Sequence, residues 1–368
     1  MSDINDIASL MTINGFSQMG ILYACYRAAD SGLFDSQFRE ILSFALLQLE
    51  KCFKSVFSKS LTPTPQDFSL VFGLFGLYIS ACLIYKLDED VDNYQDLLTR
   101  IVHLSKFGFK EKLIPEGEDS LFLGRCGFLR GVQFLKKFFD SEILNEVEIE
   151  VYIRMIFESC SDWSRRRRSV LRLTSTYNRK ELTGIAYGIS GILYTLLFEP
   201  LIFNHGCFAQ PIKRTLEYLV NLQSSSGNFD SSIDDTTGIN DKVSWHDSSS
   251  GIIWLLLKAY EVFGSEMYLK AAKNSADYIF SRGAVFRGAG LYDGVAGNGY
   301  AFLRLYQVTG EIRYYYRAVR FALFLFSDEF QQRMSVPGNP LGLFEGLSGT
   351  LCFLLDVLQP YRAAFPFL

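Results

Sequence analysis

A short motif that recurs seven times constrains this chain more than any other feature of its sequence. It consists of a small residue, a glycine three positions later and then an apolar stretch, as in GISGILYTLL and GLSGTLCFLL. Small residues at fixed spacing are typical of a tight turn or of a close backbone approach. Seven copies in register predict a repeat architecture in which each copy forms the same unit. The second glycines are Gly20, Gly76, Gly127, Gly191, Gly251, Gly297 and Gly349.

The segments around the turns indicate two kinds of helix. The stretch after each turn is apolar on nearly all sides, which is typical of a helix buried on most of its circumference. Residues 266–280 and 311–326 are amphipathic instead, with charged residues on one side. Because closure into a ring removes the exposed ends of an open array, we predict an all-α fold, an α/α toroid of seven inner and seven outer helices. No segment has the composition of a linker, so residues 1–368 are predicted to form a single domain.

Composition excludes several classes of protein. The chain has 36 Lys and Arg against 40 Asp and Glu, a formal charge of −4, which makes nucleic acid an unsuitable partner. Its 7 cysteines are odd in number and contain no CxxC pair, which disfavours a disulfide framework or a thiolate zinc cluster. The N-terminus lacks the pattern of a secretory signal, and the longest apolar stretch, residues 188–203, is too short to cross a bilayer. We therefore expect a cytoplasmic protein.

The turns themselves are the place where chemistry is expected. Seven helix N-termini, each with unpaired N–H groups, would converge at one end of the toroid and attract anions or thiolates. The residues four and five positions before each second glycine should point into this end. They are apolar in the first three turns and mostly polar in the last four, which predicts either a polar site on one wall or polar residues beside solvent. The polar residues are Tyr187, His246, Asp247, Tyr292, Asp293 and Glu345.

With these motifs the chain resembles the LanC-like proteins, eukaryotic relatives of the bacterial lanthionine synthetase C. The resemblance extends from about residue 15 to residue 368 and is most specific in SWHDSSSGIIWLLLKAYEVFG, GLYDGVAGNGYAFLRLY, LFEGLSGT and the ending RAAFPFL. It implies a double ring of helices with seven GxxG-type turns. It also implies a zinc ion held by two cysteines and one histidine, which activates a thiol, that of glutathione in the eukaryotic members, for addition to a dehydroamino acid.

Position by position, this sequence departs from the chemistry that the resemblance implies. The three zinc ligands of the family match His246, Tyr292 and Asp293. A histidine thought to handle protons matches Tyr187, and an aspartate of the second turn matches Leu74. Zinc in such sites takes two thiolates and an imidazole, and a phenol with an ordinary pKa of about 10 does not replace a thiolate. We therefore expect no zinc and no other cofactor.

Two further features bear on ligands and partners. Arg287 matches a glutathione-contacting lysine of the family and keeps its charge, whereas residues 335–338 match a second contact segment whose arginine and aspartate are absent. Half a glutathione site thus remains, with a solvated loop cation as the alternative. A run of four arginines is typical of a solvated helix end and, less often, of a patch for an acidic partner or a membrane surface. These are Arg165, Arg166, Arg167 and Arg168.

Three functions follow as hypotheses. The lost ligands favour a LanC-like protein without catalytic activity, a pseudoenzyme that binds glutathione, a peptide or a protein. A hydrolase is the second, because Asp247, Asp293 and Glu345 occupy equivalent turn positions and could form a carboxylate pair. Residual glutathione addition without zinc is the third, although it lacks a thiol activator. A residual metal site from His246 and Asp293, with Asp247, is weaker than the alternative of a plain His–Asp hydrogen bond.

Overall fold

A computed structural model describes residues 15–57, 64–110, 118–204, 206–234 and 241–368, and regular structure in these ranges is helical. In chain order the helices are α1 (Gly15–Asp30), α2 (Phe38–Phe57), α3 (Leu74–Leu87), α4 (Val91–Ser105), α5 (Arg125–Leu135), α6 (Glu146–Arg167), α7 (Ile189–Leu196), α8 (Leu201–Asn204), α9 (Gly206–Asn221), α10 (Ser249–Phe263), α11 (Glu266–Arg282), α12 (Val295–Thr309), α13 (Ile312–Phe324), α14 (Asp328–Arg333) and α15 (Leu347–Leu358).

Seven of these helices form the inner ring. Each contains one of the seven second glycines, and they are α1, α3, α5, α7, α10, α12 and α15. Each packs against the next one in this order, and α15 packs against α1, so the ring is closed. Six amphipathic helices alternate with them in the described ranges, namely α2, α4, α6, α9, α11 and α13. The predicted all-α toroid is confirmed; its seventh outer helix is not found within those ranges.

Close packing explains why the fourth residue of the motif, its second glycine, has no side chain. A Cβ atom on Gly191 would lie well inside van der Waals contact of the Ile185 carbonyl oxygen, six residues earlier, and 3.0 Å from the Leu121 Cβ of the preceding turn. The equivalent carbonyl crowds Gly76, Gly127, Gly251, Gly297 and Gly349 in the same way. The motif therefore lets each inner helix begin directly against its own turn and its neighbour.

The C-terminal segment fills the middle of the ring. Phe365 and Phe367 are each only 1% exposed. Phe365 stacks on Trp245 at 4.4 Å and contacts Tyr300 of α12, while Phe367 packs against Tyr23 of α1 at 4.7 Å. Because this tail contacts inner helices from different parts of the ring, the centre of the toroid is a packed core and not an open channel.

Two smaller expectations are settled by the helices. The arginine run lies at a helix end, which is one of the two possibilities that its sequence favours, because α6 continues to Arg167 and Arg168 caps it with φ 51°. Cationic side chains favour the C-terminal end of a helix, where the carbonyl groups concentrate partial negative charge.

Among the described residues, no helix is both long and apolar enough to cross a membrane. The seven cysteines are unpaired, and Cys207 alone is exposed.

Candidate functional site

We call the end of the toroid where the inner helices begin the mouth. A series of backbone hydrogen bonds links successive turns there. In each of five turns the residue five positions before the second glycine donates its amide to the carbonyl of the equivalent residue in the next turn. The N···O distances lie between 2.7 and 3.4 Å. Successive turns are therefore held in register around the mouth. The six residues in this series are Val71, Phe122, Ala186, His246, Tyr292 and Phe344.

Aromatic side chains close the mouth from below. Phe122, which is 2% exposed, contacts Trp245 at 5.6 Å and Phe344 at 4.7 Å between ring centres. We call these three residues the aromatic floor. The rings of Tyr187 and Tyr292 also contact the ring of Phe122, at 5.5 and 6.1 Å between ring centres. The polar residues of the last four turns therefore stand beside an apolar, water-excluding surface.

His246 and Asp247 form a hydrogen-bonded pair at the start of α10. The Nε2 atom of His246 lies 3.2 Å from Oδ2 of Asp247, and its Nδ1 atom lies 3.3 Å from the carbonyl oxygen of Tyr292. The hydroxyl of Ser244 donates to the other oxygen of Asp247. Burial acts to raise the pKa of Asp247, but hydrogen bonds and charge from His246, with Ser244, outweigh it and lower the pKa below its usual value.

Tyrosines surround this pair. The rings of His246 and Tyr292 stack with 3.8 Å between centres and 8° between planes. Tyr292 is hydrogen-bonded to Tyr187, whose ring stacks on Tyr177 at 4.7 Å. Burial, together with neighbouring Tyr177 and Glu345, raises the pKa of Tyr187 to about 12, and the pKa of Tyr292 rises further, first through burial. Both phenols stay protonated near neutral pH.

Asp293 and Arg287 form the neighbouring part of the rim. The Nε atom of Arg287 lies 3.7 Å from a carboxylate oxygen of Asp293, and its Nη2 donates to the Val243 carbonyl at 2.6 Å. The side chains of Arg287 and Asp293 are 38% and 42% exposed. Glu345 is exposed, and its carboxylate faces Gly338 of the segment 335–338. The amide of Ser335 in turn donates to the carbonyl of Phe286, beside Arg287.

The structure thus brings together most of the residues that the sequence singled out, and adds others. Tyr187, His246, Asp247 and Tyr292 are in direct contact, with Asp293 and Arg287 beside them. Leu74 does not join this group through any contact found here; it is the half-buried first residue of α3 and packs against the core. Sequence reasoning missed Ser244, Tyr177 and the aromatic floor. Ser244 and Tyr177 do not lie four or five residues before a second glycine, and the residues of the aromatic floor are apolar. Neither group therefore gave a chemical signal in the sequence.

The arginine run lies apart from the mouth and is partly neutralised. Arg165 and Arg166 pair with Asp162 in the preceding turn of α6, and their side chains are 78% and 69% exposed. Arg167 pairs with Asp234 at 3.1 Å and lies 3.6 Å from Glu181. The run is a solvated helix end with local acidic partners, and peripheral contact with a membrane stays a prediction.

Across the ranges that the structure describes, no three His, Cys, Asp or Glu side chains are grouped so that they could hold a metal ion. At the mouth, both ring nitrogens of His246 already face oxygen atoms, and its ring lies flat on Tyr292. Asp293 faces a guanidinium. The donor atoms of His246 and Asp293 therefore already have partners within the protein, and a tetrahedral zinc site would require them to exchange these for a common metal ion.

Comparison with known proteins gives consistent results. The family model of lanthionine synthetase C-like proteins matches residues 18–368. A relative from Danio rerio named glutathione S-transferase LANCL1 is 32% identical over 293 residues, which are 79% of this chain and 71% of that protein. The solved structure of nisin cyclase superposes with a TM-score of 0.76 at 14% identity and covers 100% of this chain and 96% of that one. The low identity to nisin cyclase shows a shared fold.

Proposed function

The chain belongs to the lanthionine synthetase C-like family, and from this premise we propose that it is a member without thioether-forming activity that binds glutathione or a related peptide at the mouth. The observation that carries the proposal is the flat stack of His246 on Tyr292, with both imidazole nitrogens held by Asp247 and by a backbone carbonyl. This arrangement turns the face of the imidazole, and not a lone pair, toward its neighbour. A thiol at the mouth would find no metal to activate it.

The donor set supports a protein that works without zinc. Tyr292 would have to lose its proton to act as an anionic ligand, yet burial and nearby Tyr187 raise its pKa above the ordinary value. Zinc sites for thiol activation depend on thiolates, whose softness a phenol and a carboxylate do not reproduce. An unactivated thiol is only a few per cent ionised near neutral pH, so its addition to a dehydroamino acid would be slow.

Proton handling is also compromised at the matched positions. Tyr187, where the family has a histidine, has a pKa of about 12 and is stacked on Tyr177, so it exchanges protons poorly near pH 7. Leu74, where the family has an aspartate, offers no titratable group. Both changes agree with binding without turnover.

The mouth retains features that suit an anionic peptide. Helices α10 and α12 begin there, so their N-terminal N–H groups and dipoles favour carboxylates. Arg287 adds a cation on the rim that is only partly satisfied by solvent-exposed Asp293. The aromatic floor supplies an apolar surface next to these charges. Glutathione combines two carboxylates with an apolar thiol, and this combination supports it as the ligand class.

A carboxylate-based hydrolase is less well supported. A general acid needs a raised pKa, whereas Asp247 has a lowered one because His246 and Ser244 stabilise its charged form. Asp293 lies beside Arg287, with 3.7 Å between a carboxylate oxygen and the Nε atom, and Glu345 is exposed to solvent. Asp247 is therefore not placed in an environment that would keep it protonated.

The decisive experiment combines binding and turnover on the purified protein. Calorimetric titration with glutathione should give saturable binding that weakens about tenfold in Arg287→Gln, the effect of losing roughly 1.4 kcal/mol. Arg165→Gln, which removes one exposed cation elsewhere, serves as the matched control and should bind as the unmodified protein does. Incubation with glutathione and a dehydroalanine peptide, read by mass spectrometry, should give no thioether above buffer.

Two results would contradict the proposal. Thioether formation clearly above buffer that disappears in His246→Ala would make His246 a working residue and the protein an enzyme. Absence of saturable glutathione binding would remove glutathione as the ligand class of the mouth.

A further inference from the structure

Basic side chains gather at the end of the toroid opposite the mouth, where the inner helices finish. Arg130 lies in the last two turns of α5, Lys258 in the second half of α10 and Arg304 in that of α12, while Lys137 follows the end of α5. We call these four residues the basic cluster. Their convergence follows from the ring, because each inner helix points its C-terminal half toward the same end. The sequence motifs do not indicate it.

Contacts with one aromatic ring bring two of the cations close together. The Arg130 guanidinium lies 3.8 Å and the Lys258 ammonium 3.9 Å from the centre of the Phe198 ring. The charges also act on one another. Burial first, and then Arg130 and Arg304, lower the pKa of Lys258, and the same causes lower the pKa of Lys137 to about 8 although its side chain reaches solvent. The four cations therefore share one electrostatic environment.

Carboxylates around the basic cluster do not balance it. Glu261 pairs with Arg304 and lies 4.0 Å from Lys258. Glu199 accepts a hydrogen bond from the Gln133 amide, and its pKa is raised because burial outweighs the charges near it. Lys136 adds a fifth cation to this end. Among the described residues, five cations thus face two carboxylates, whereas the whole chain has a formal charge of −4, so the positive excess is local.

Two of the hydrogen-bond donors in the basic cluster lack acceptors, although Nη1 of Arg130 donates to Gln133 at 2.9 Å. Arg130 is 1% exposed, and its buried Nε–H has no hydrogen-bond partner among the described residues. The Nε–H of Arg304 is also buried and has no hydrogen-bond partner within the described ranges. Buried guanidinium N–H groups are costly to leave without an acceptor, and native proteins seldom do so without a reason.

We propose that the basic cluster is a binding site for a small phosphate-bearing anion. Two guanidinium groups and two ammonium groups at one end of the toroid supply the charge and the N–H donors that phosphate oxygens accept, and planar guanidinium groups suit bidentate contact. The side chains of Lys258 and Arg304 are only 17% and 19% exposed. A small free anion would reach cations buried to this degree more easily than the surface of a bilayer would. The site is independent of the function proposed for the mouth.

Pyrophosphate is a suitable probe, titrated calorimetrically into the full chain at constant ionic strength. The double variant Lys137→Gln/Lys258→Gln leaves buried Arg130 in place and should weaken binding by about tenfold or more, since it removes two cations that can donate charge-assisted hydrogen bonds to the anion. Arg165→Gln/Arg166→Gln removes the same charge from an exposed helix end and should bind like the unmodified protein. Circular dichroism melts establish that both variants are folded.

The proposal is overturned if the unmodified protein shows no saturable pyrophosphate binding. It is equally overturned if the cluster variant binds as tightly as the unmodified protein, or if the control loses as much affinity as the cluster variant. Vesicles containing a phosphoinositide provide the second arm. Sedimentation with them should not depend on Lys137 and Lys258, and a dependence on both residues would assign the cluster to a lipid headgroup instead.

Discussion

Replacing Gly191 by alanine tests the packing on which the whole ring depends. The added methyl group would overlap the Ile185 carbonyl oxygen and lie 3.0 Å from the Leu121 Cβ of the preceding turn. The carbonyl cannot retreat freely, because the next amide, that of Ala186, donates to the His246 carbonyl at 3.1 Å and belongs to the hydrogen-bonded series around the mouth. Relief of the overlap must therefore strain or break a bond between two turns.

The magnitude follows from three contributions. Overpacking of this kind costs about 1 to 3 kcal/mol, and weakening one backbone hydrogen bond adds roughly 1 kcal/mol. Alanine is a better helix residue than glycine and returns about 0.5 to 1 kcal/mol. We therefore expect a net destabilisation of about 2 kcal/mol. With a urea dependence of about 3 kcal/mol per molar, the unfolding midpoint should fall by about 0.7 M.

Urea unfolding followed by circular dichroism measures this shift. Gly338→Ala is the matched control, since its added methyl group would meet only the flexible Glu345 carboxylate at 3.4 Å, and surface changes of this kind stay within about 0.5 kcal/mol. An unchanged midpoint for Gly191→Ala would refute the reasoning, because it would mean that the turn is not packed against its own helix and its neighbour. A similar loss in the control would attribute the effect to glycine itself.

Three further predictions concern the metal, the tail and the basic cluster. Elemental analysis of protein purified without chelators should find less than about 0.1 zinc per chain, and one tightly bound zinc would contradict the proposed function. Phe365→Ala should cost about 3 to 5 kcal/mol in urea unfolding, whereas exposed Phe326→Ala should cost little; equal effects would argue against a buried tail. Lys137→Met should raise the urea midpoint near pH 7. Folding lowers the pKa of the Lys137 ammonium group from 10.5 to about 8, so the folded protein binds the proton of this group less tightly than the unfolded chain does. This gain is complete below pH 8 and should disappear as the pH rises toward 10.5; a gain that persists would locate its cause in packing.

Much of the fold follows from local sequence. The glycine motif predicts where inner helices begin because a carbonyl six residues earlier excludes any side chain at its second glycine, and this requirement repeats in six of the seven copies. Hydrophobic periodicity separates the inner from the outer helices for a similarly local reason, and the predicted segments 266–280 and 311–326 correspond to α11 and α13. Pattern alone places their ends less well, because α11 continues to Arg282 and α13 covers only 312–324.

The site follows from the sequence only in part. Turn positions identify Tyr187, His246, Asp247 and Tyr292 as neighbours, since equivalent residues of successive turns meet around a ring. What each side chain does there depends on contacts that are distant in the chain. The stacking of His246 on Tyr292 and the pairing of Arg287 with the Val243 carbonyl join residues about 45 positions apart, and no spacing rule predicts their orientation.

By itself, the sequence determined the repeat, the helical class and the closed ring, because each of these depends on residue type at a regular interval. Only the tertiary structure decided that the C-terminal tail fills the ring, that an aromatic floor closes the mouth and that cations gather at the opposite end. These features arise where residues from separate repeats meet, as Phe365 meets Trp245 and Arg130 meets Phe198. Such meetings are set by how the helices pack in three dimensions, and a local pattern in the chain carries no record of them.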